Sequence, residues 1–316
     1  AYAEWRGDHR QNIGSVGKML GALGLLQALA DTYPENASAR ERVLRETILT
    51  ADDFSQHDHH TVHMFDVETR ELTRRSIEIG DQATLWEYLN WMLSVSSNSA
   101  AAMVMRDAMM LRALGVDYPP PDADIDGFFD QLGSSGRTEL FQRTFWEPVT
   151  RNGLELDQIR QGSFFTQGGK KRVNGGGNSY ATARSLMEFL LTMEQGQLVD
   201  EWTSRLFKRM LYLTERRIRY ASSPALRDAA VYFKSGSLYS CKKEEGFKCG
   251  KYRGNVRNYM NSVAIVETRP EDPAGELPEL HYVVTLISNV LRENSAVAHQ
   301  TLGTEIHRLM QERHAD

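Results

Sequence analysis

The run from Met19 to Ala30 is apolar on nearly every side of a helical wheel, so as a helix it has no face to give to water. It is too short to cross a bilayer. It therefore predicts a helix buried in the middle of a domain, stopping near Tyr33-Pro34, with other elements packed around it. Immediately ahead stands Gly14-Ser15-Val16-Gly17-Lys18. At the first turn of that helix Ser15 and Lys18 share a face, because residues i and i+3 are neighbours on a helix surface. A serine hydroxyl is a poor nucleophile until a base takes its proton. A lysine beside it can be that base when burial and nearby positive charge lower its pKa. The pattern alone does not select Ser15, since Ser240-Cys241-Lys242-Lys243 has the same spacing in a polar, turn-like segment.

The rest of the chain reads as helices in the middle and strands at the end. Ala1 to Trp5 has strand-like alternation before a turn at Gly7-Asp8. Ala37 to Leu49 and Leu85 to Leu93 read as helices, as does Ala100 to Leu114, and Val62 to Ile79 as a surface hairpin. Pro119-Pro120-Pro121 with Asp122, Asp124 and Asp126 is a loop or spacer. Thr138 to Gly177 looks irregular, as binding loops and lids do. Ser179 to Leu191 and Glu201 to Tyr220 read as helices. Ala229 to Phe233, Ser262 to Glu267 and His281 to Ile287 read as strands, the first ending at Lys234. Leu302, Ile306, Leu309 and Met310 mark a terminal amphipathic helix. Strands joined by short turns are antiparallel, so the expected class is α+β.

Charge and ligand chemistry narrow the function. The net charge of −5 is spread along the chain, with neither a basic face for nucleic acid nor a polybasic membrane patch. Arg216, Arg217 and Arg219 read as a solvated helix face. Four histidines in Gln56 to His63 fit no compact zinc spacing and have no cysteine nearby, so an exposed loop is expected, with metal binding as the alternative reading; no metal site and no cofactor are assigned. Cys241 and Cys249, on either side of Gly246, suit a disulfide closing a hairpin loop, or are two free thiols. The disulfide favours an oxidising compartment.

Ser15-Val16-Gly17-Lys18 is followed by Ser96-Ser97-Asn98 and then by Lys234-Ser235-Gly236. The three motifs stand in this order, at a helix start, between two helices and at a strand. They resemble the S-x-x-K, S-D-N and K-T-G set of the serine β-lactamases and penicillin-binding proteins. Ser96-Ser97-Asn98-Ser99-Ala100-Ala101 is similar to that family's S-D-N-T-A-A run, and Tyr180-Ala181-Thr182-Ala183-Arg184 to its entry into the helix after the Ω-loop. The resemblance is nearest to the class A branch and covers nearly the whole chain. It implies one domain over 1–316, with an antiparallel sheet flanked by helices (1–14 and 229–316) and an all-helical part (roughly 30–225). Only fourteen residues precede Ser15, so part of the family's N-terminal sheet is expected to be missing or to be supplied by residues outside this sequence.

The resemblance also implies roles. Ser15 attacks an amide carbonyl and becomes acylated, with its own N–H and that of Ser237 forming the oxyanion hole. Lys18 takes or relays the serine proton. Ser96 passes a proton to the departing nitrogen, and Lys234 holds positive potential nearby. Asn98 holds the substrate's side-chain amide and Lys18. Ser235 of the Ser235-Gly236-Ser237 stretch binds the substrate carboxylate, helped by Lys234. Taken singly, Ser15 and Ser96 to Ser99 could be helix caps and Lys234 an edge-strand gatekeeper.

The chain departs from the family's pattern at several points. Ser97 stands where the family has Asp, so the loop loses a carboxylate that shapes it. Ser235 stands for Thr and keeps the hydroxyl. Trp146-Glu147-Pro148 resembles the class A W-E-P-x-L-N, but Asn152 comes one residue late. Glu147 is thus either the base for the hydrolytic water or a surface residue before a proline. Arg253 and Arg257 are the candidates for a carboxylate-binding arginine. Three functions follow from the resemblance. The first is an extracytoplasmic (periplasmic or secreted) β-lactam hydrolase of class A type. The second is a D-Ala-D-Ala peptidase acting on peptidoglycan stem peptides. The third is a penicillin-recognising sensor or binding module.

Overall fold

The computed structural model describes residues 2–121, 124–215, 217–269 and 277–315; Ala1, Asp122 and Arg216 lie outside them. The chain forms two compact units. One comprises residues 18–179 with 199–203, the other residues 1–17, 180–198 and 204–316.

The first unit is mainly helical. Its elements are α1 (Lys18–Thr32), α2 (Ala37–Glu46), β1 (Ile48–Thr50), β2 (Val62–Phe65), β3 (Leu72–Arg75), β4 (Gln82–Thr84), α3 (Leu85–Ser94), α4 (Asn98–Leu114), α5 (Ile125–Gln131), α6 (Gly133–Phe145), α7 (Glu147–Arg151), β5 (Ile159–Arg160) and α8 (Gln167–Arg172). As its composition predicts, α1 is buried from Lys18 to Ala30 and packs against α3, α4, α6 and α7. The α6 contact is close because position 24 has no side chain. A Cβ on Gly24 would lie 2.6 Å from the Phe145 ring and 2.8 Å from the Thr144 carbonyl. The other buried helix, α4, carries a charged core: Arg106 bonds Asp52 at 2.6 Å and Asp107 at 2.8 Å, and the Tyr118 hydroxyl donates to Asp107 at 2.7 Å. Burying an ion pair costs solvation, and these bonds offset that cost.

The second unit contains β6 (Tyr180–Ala181), α9 (Ala183–Glu194), most of α10 (Glu201–Tyr212), β7 (Ala230–Ser240), β8 (Arg257–Glu267), β9 (His281–Asn289) and α11 (Ser295–Ala315). Strands β7, β8 and β9 make an antiparallel sheet in that order, with Lys234 opposite Val263, Gly236 opposite Asn261 and Ser262 opposite Leu286. One face packs Val231, Phe233, Ala264, Val266, Tyr282 and Val284 with Tyr220 and, from α11, Ile306 and Met310. The class is α+β, as expected.

Several boundaries differ from the sequence expectation. Helix α10, expected to run to Tyr220, stops at Tyr212, and β8 begins at Arg257 rather than Ser262. Residues 2–5 form no strand; their polar groups turn to α9, where Arg184 donates to Glu4 and its backbone N–H to the Gly7 carbonyl. Helix α2 stops at Glu46 because Ile48–Thr50 pairs with β4. The stretch 138–177 is not irregular throughout: α6 buries Leu140, Phe141, Thr144 and Phe145 along one face, a periodicity hidden by its many polar residues. Strand β7 runs on to Ser240, so Lys234-Ser235-Gly236 lies inside it.

Candidate active site

The residues singled out by sequence fall in both units. In the helical unit Lys18 is fully buried. Its Nζ donates to the Ser96 carbonyl at 2.6 Å, to Ser96 Oγ at 3.3 Å and to Asn98 Oδ1 at 2.7 Å. It also lies 4.9 Å from the centroid of the Phe165 ring. Burial pulls its pKa down to about 7, against the opposing charge of Asp58. Burial thus favours the neutral amine, the form able to accept a proton. Ser96 has φ +67°. Ser97 caps α4 with its Oγ on the Ala100 N–H.

The Ser96 to Asn98 turn is supported from outside its own sequence. Asp58 Oδ2 accepts from Ser97 Oγ at 2.9 Å and from the N–H groups of Asn98 (2.6 Å) and Ser99 (3.0 Å). Asp58 Oδ1 accepts from the N–H groups of His59 and His60 and lies 2.6 Å from His60 Nδ1. The Asp58 side chain is only 1% exposed. Burial alone would raise its pKa. Its bonds to His60 and to backbone N–H groups outweigh that and hold the carboxyl well below the usual range. Burial also lowers the pKa of His60, more than Asp58 raises it.

The histidine-rich segment is a loop over 56–61 leading into β2. Asp58, His59 and His60 bring ligand-type atoms within 4.8 Å of one another. Both Asp58 oxygens, however, are already occupied by N–H and O–H donors.

Glu147 is not brought to Lys18. It opens α7 and pairs with Arg112 at 2.8 Å; Arg112 in turn bonds Asp31, which Arg151 also holds. Asp31 is thirteen residues beyond Lys18 on α1, on the order of 20 Å at 1.5 Å per residue. Between Gln158 and Ser179 the chain carries no acidic residue, and Phe165 is the side chain this stretch places on Lys18.

In the sheet unit, Gly14–Gly17 forms a 3-10 turn immediately ahead of Lys18 in the chain, and β7 passes directly over it. A Cβ on Gly236 would lie 2.1 Å from the Ile13 carbonyl oxygen and 2.7 Å from the Ser15 nitrogen. Gly14 has φ +54°, and a Cβ there would lie 3.0 Å from the Ser237 nitrogen. The backbone nitrogens of Ser15 and Ser237 are thus brought close together. Lys234 is 2% exposed, with Nζ 3.2 Å from the Ser235 carbonyl.

Arg219 is the arginine beside this strand. It is buried, at φ +57°, and donates to the Gly236 carbonyl at 3.2 Å and to Ser237 Oγ at 3.1 Å, with its guanidinium 4.6 Å from the Tyr252 ring. The expectation that Arg219 shares a solvated face is corrected. Arg253 instead reaches the Arg292 carbonyl and Arg257 lies over Tyr259, both exposed. Cys241 and Cys249 are disulfide-bonded.

Neither Asp58 nor Arg219 was among the site residues expected from sequence. The missing carboxylate at Ser97 was a signal that an acid must come from elsewhere, but nothing in the spacing points forty residues back to Asp58.

No protein-family model matches the chain, and no curated protein matches it by sequence. Solved structures do match. A β-lactamase from Sphaerobacter thermophilus aligns at TM-score 0.56 and 15% identity, covering 98% of this chain and 85% of its own. A β-lactamase from Chitinophaga pinensis aligns at 0.54 and 12%, covering 98% and 87%. A PBP-A variant, solved as an acyl-enzyme complex with penicillin G, aligns at 0.51 and 13%, covering 97% and 84%. The chain has the fold of the serine β-lactamases and PBP-A. At these identities the likeness is one of fold, so the chemistry rests on the residues above. Among the described residues no helix is long and apolar enough to cross a membrane.

Proposed function

We propose that this chain is a serine hydrolase that is acylated on Ser15 by β-lactams or by peptides ending in D-Ala-D-Ala, and that releases the acyl group slowly. The observation that carries the reading is Lys18, fully buried with its pKa near 7 and bonded to Ser96 and Asn98, three residues after a serine at a helix start. In this reading neutral Lys18 takes the proton as Ser15 Oγ attacks the carbonyl. The Ser15 and Ser237 N–H groups hold the oxyanion, a contribution of about 3 kcal/mol for each such donor. Ser96 returns the proton to the leaving nitrogen, with Lys234 supplying positive potential. Asn98 orients the substrate amide, while Ser235 and Arg219 hold its carboxylate.

Slow release follows from Phe165. Hydrolysis of an acyl-enzyme needs a base for the attacking water, and the chain puts an aromatic ring against Lys18 while Glu147 is engaged by Arg112. Class A turnover by Glu147 is therefore the weaker reading. The Cys241–Cys249 bond supports an extracytoplasmic, oxidising location.

Intact mass followed over time after mixing with a penicillin tests this. The wild type is expected to gain one adduct that persists, and Ser15→Ala to gain none. Glu147→Gln is expected to leave the adduct's lifetime unchanged, whereas Phe165→Glu shortens it, within the roughly 100- to 10,000-fold range of a well-placed general base. A wild type that never gains mass overturns the reading. One that clears its adduct within seconds, and loses that ability as Glu147→Gln, restores class A turnover.

A further inference from the structure

The turn carrying Ser96 and Asn98 does not hold itself. Ser96 adopts a left-handed conformation, which a non-glycine residue keeps only where its surroundings enforce it. The enforcement comes on the next three residues: Ser97 Oγ and the N–H groups of Asn98 and Ser99 all donate to one oxygen, Asp58 Oδ2. The other oxygen is held by the His59 and His60 N–H groups and by His60 Nδ1. A carboxylate with six donors and almost no solvent exposure has one geometry available to it. It fixes the 56–61 loop to the first turn of α4, and that turn presents the Ser96 and Asn98 oxygens to Lys18.

We propose that Asp58 is the positioning residue of the acylation site, holding Ser96 and Asn98 on Lys18. The inference deepens the reading of Ser15 and Lys18 given above and rests on it for its kinetic readout. The 56–61 loop brings two titratable groups that act on Lys18, Asp58 and His60. Residues 96–98 and Phe165 bring hydroxyl, carbonyl, amide and aromatic groups. Asp58 is the acid among them, so its removal leaves burial unopposed and lowers the affinity of Lys18 for its proton.

The test compares wild type, Asp58→Asn and the double variant Asp58→Asn/Ser97→Asp. Native folding is first established by circular dichroism and thermal melting. Acylation by a fluorescent penicillin is then followed across pH, and Lys18 Nζ is titrated by NMR without ligand. Asp58→Asn is expected to acylate on the order of 100-fold more slowly, as for other losses of positioning. The acid limb of its rate profile and the Lys18 titration are both expected at lower pH than in wild type.

Ser97→Asp alone would set two carboxylates at the present 2.9 Å contact and is expected to impair the protein. In the double variant the new carboxylate replaces the lost one, so rate and titration move back towards wild type. If Asp58→Asn does not fold, the double variant carries the test: a wild-type-like rate and titration support the proposal, and a folded but slow enzyme with a displaced titration overturns it. A folded Asp58→Asn with wild-type rate and unmoved Lys18 titration overturns the proposal outright. Failure of the acyl-enzyme reading looks different: the wild type takes no label, while the NMR titration still decides the role of Asp58.

Discussion

At the scale of single residues, Lys18 concentrates the physics of the site. It is buried among Ser96, Asn98 and Phe165, and burial outweighs the attraction of Asp58. Its pKa falls from 10.5 in a free side chain to about 7 in the fold. Between those values the unfolded chain binds more protons than the native one, so the lysine's contribution to stability rises with pH from about 7 towards 10.5. Below 7 the burial penalty is present in full. Lys18→Met is expected to abolish acylation and to remove this rise, which chemical denaturation of both proteins at pH 6 to 10 would detect. Equal pH slopes for the two would show that Lys18 is not depressed. Acylation of the wild type is expected to increase as pH crosses about 7 and then to level off.

At the scale of elements, strand β7 decides where the Ser15 turn can sit. It runs unbroken through Lys234, Ser235, Gly236 and Ser237, and only glycine lets it pass the carbonyl of Ile13. Gly236→Ala has to displace backbone on one side or the other. It is expected to destabilise by at least about 1–3 kcal/mol, as overpacking does, and to abolish labelling by penicillin even in the folded fraction. Thermal melting and labelling together check this; a variant that melts and labels like the wild type would show that the turn and strand are not so close. The three-motif pattern was legible because each member sits at an element boundary or on a strand, where its chemistry is readable locally. The full length of β7 was not, since residues beyond Phe233 become strand by pairing with β8 as far as Arg257.

At the scale of the molecule, the chain divides into a helical and a sheet unit, each with its own core. The disulfide directly follows β7 and joins residues eight positions apart, Cys241 and Cys249. Cys241→Ser/Cys249→Ser is expected to lose about 2–3 kcal/mol or less, the chain-entropy value for so short a loop, and to keep its acylation rate; a loss of acylation would show that the loop shapes the site. The sequence by itself determined the α+β class, the buried first helix and the order of the three motifs, because periodicity and short-range spacing are local properties. The placing of Ser15 and Lys18 at a helix start was legible for the same reason, whereas the burial of Lys18 was not. Only the tertiary structure decided which acid supports the Ser96 turn, which arginine reaches Ser237, and that Phe165 rather than Glu147 stands against Lys18. Those contacts join residues at least 18 positions apart. They depend on how the segments at 56–61, 152–179 and 217–222 are folded back onto their own units, which no local pattern records.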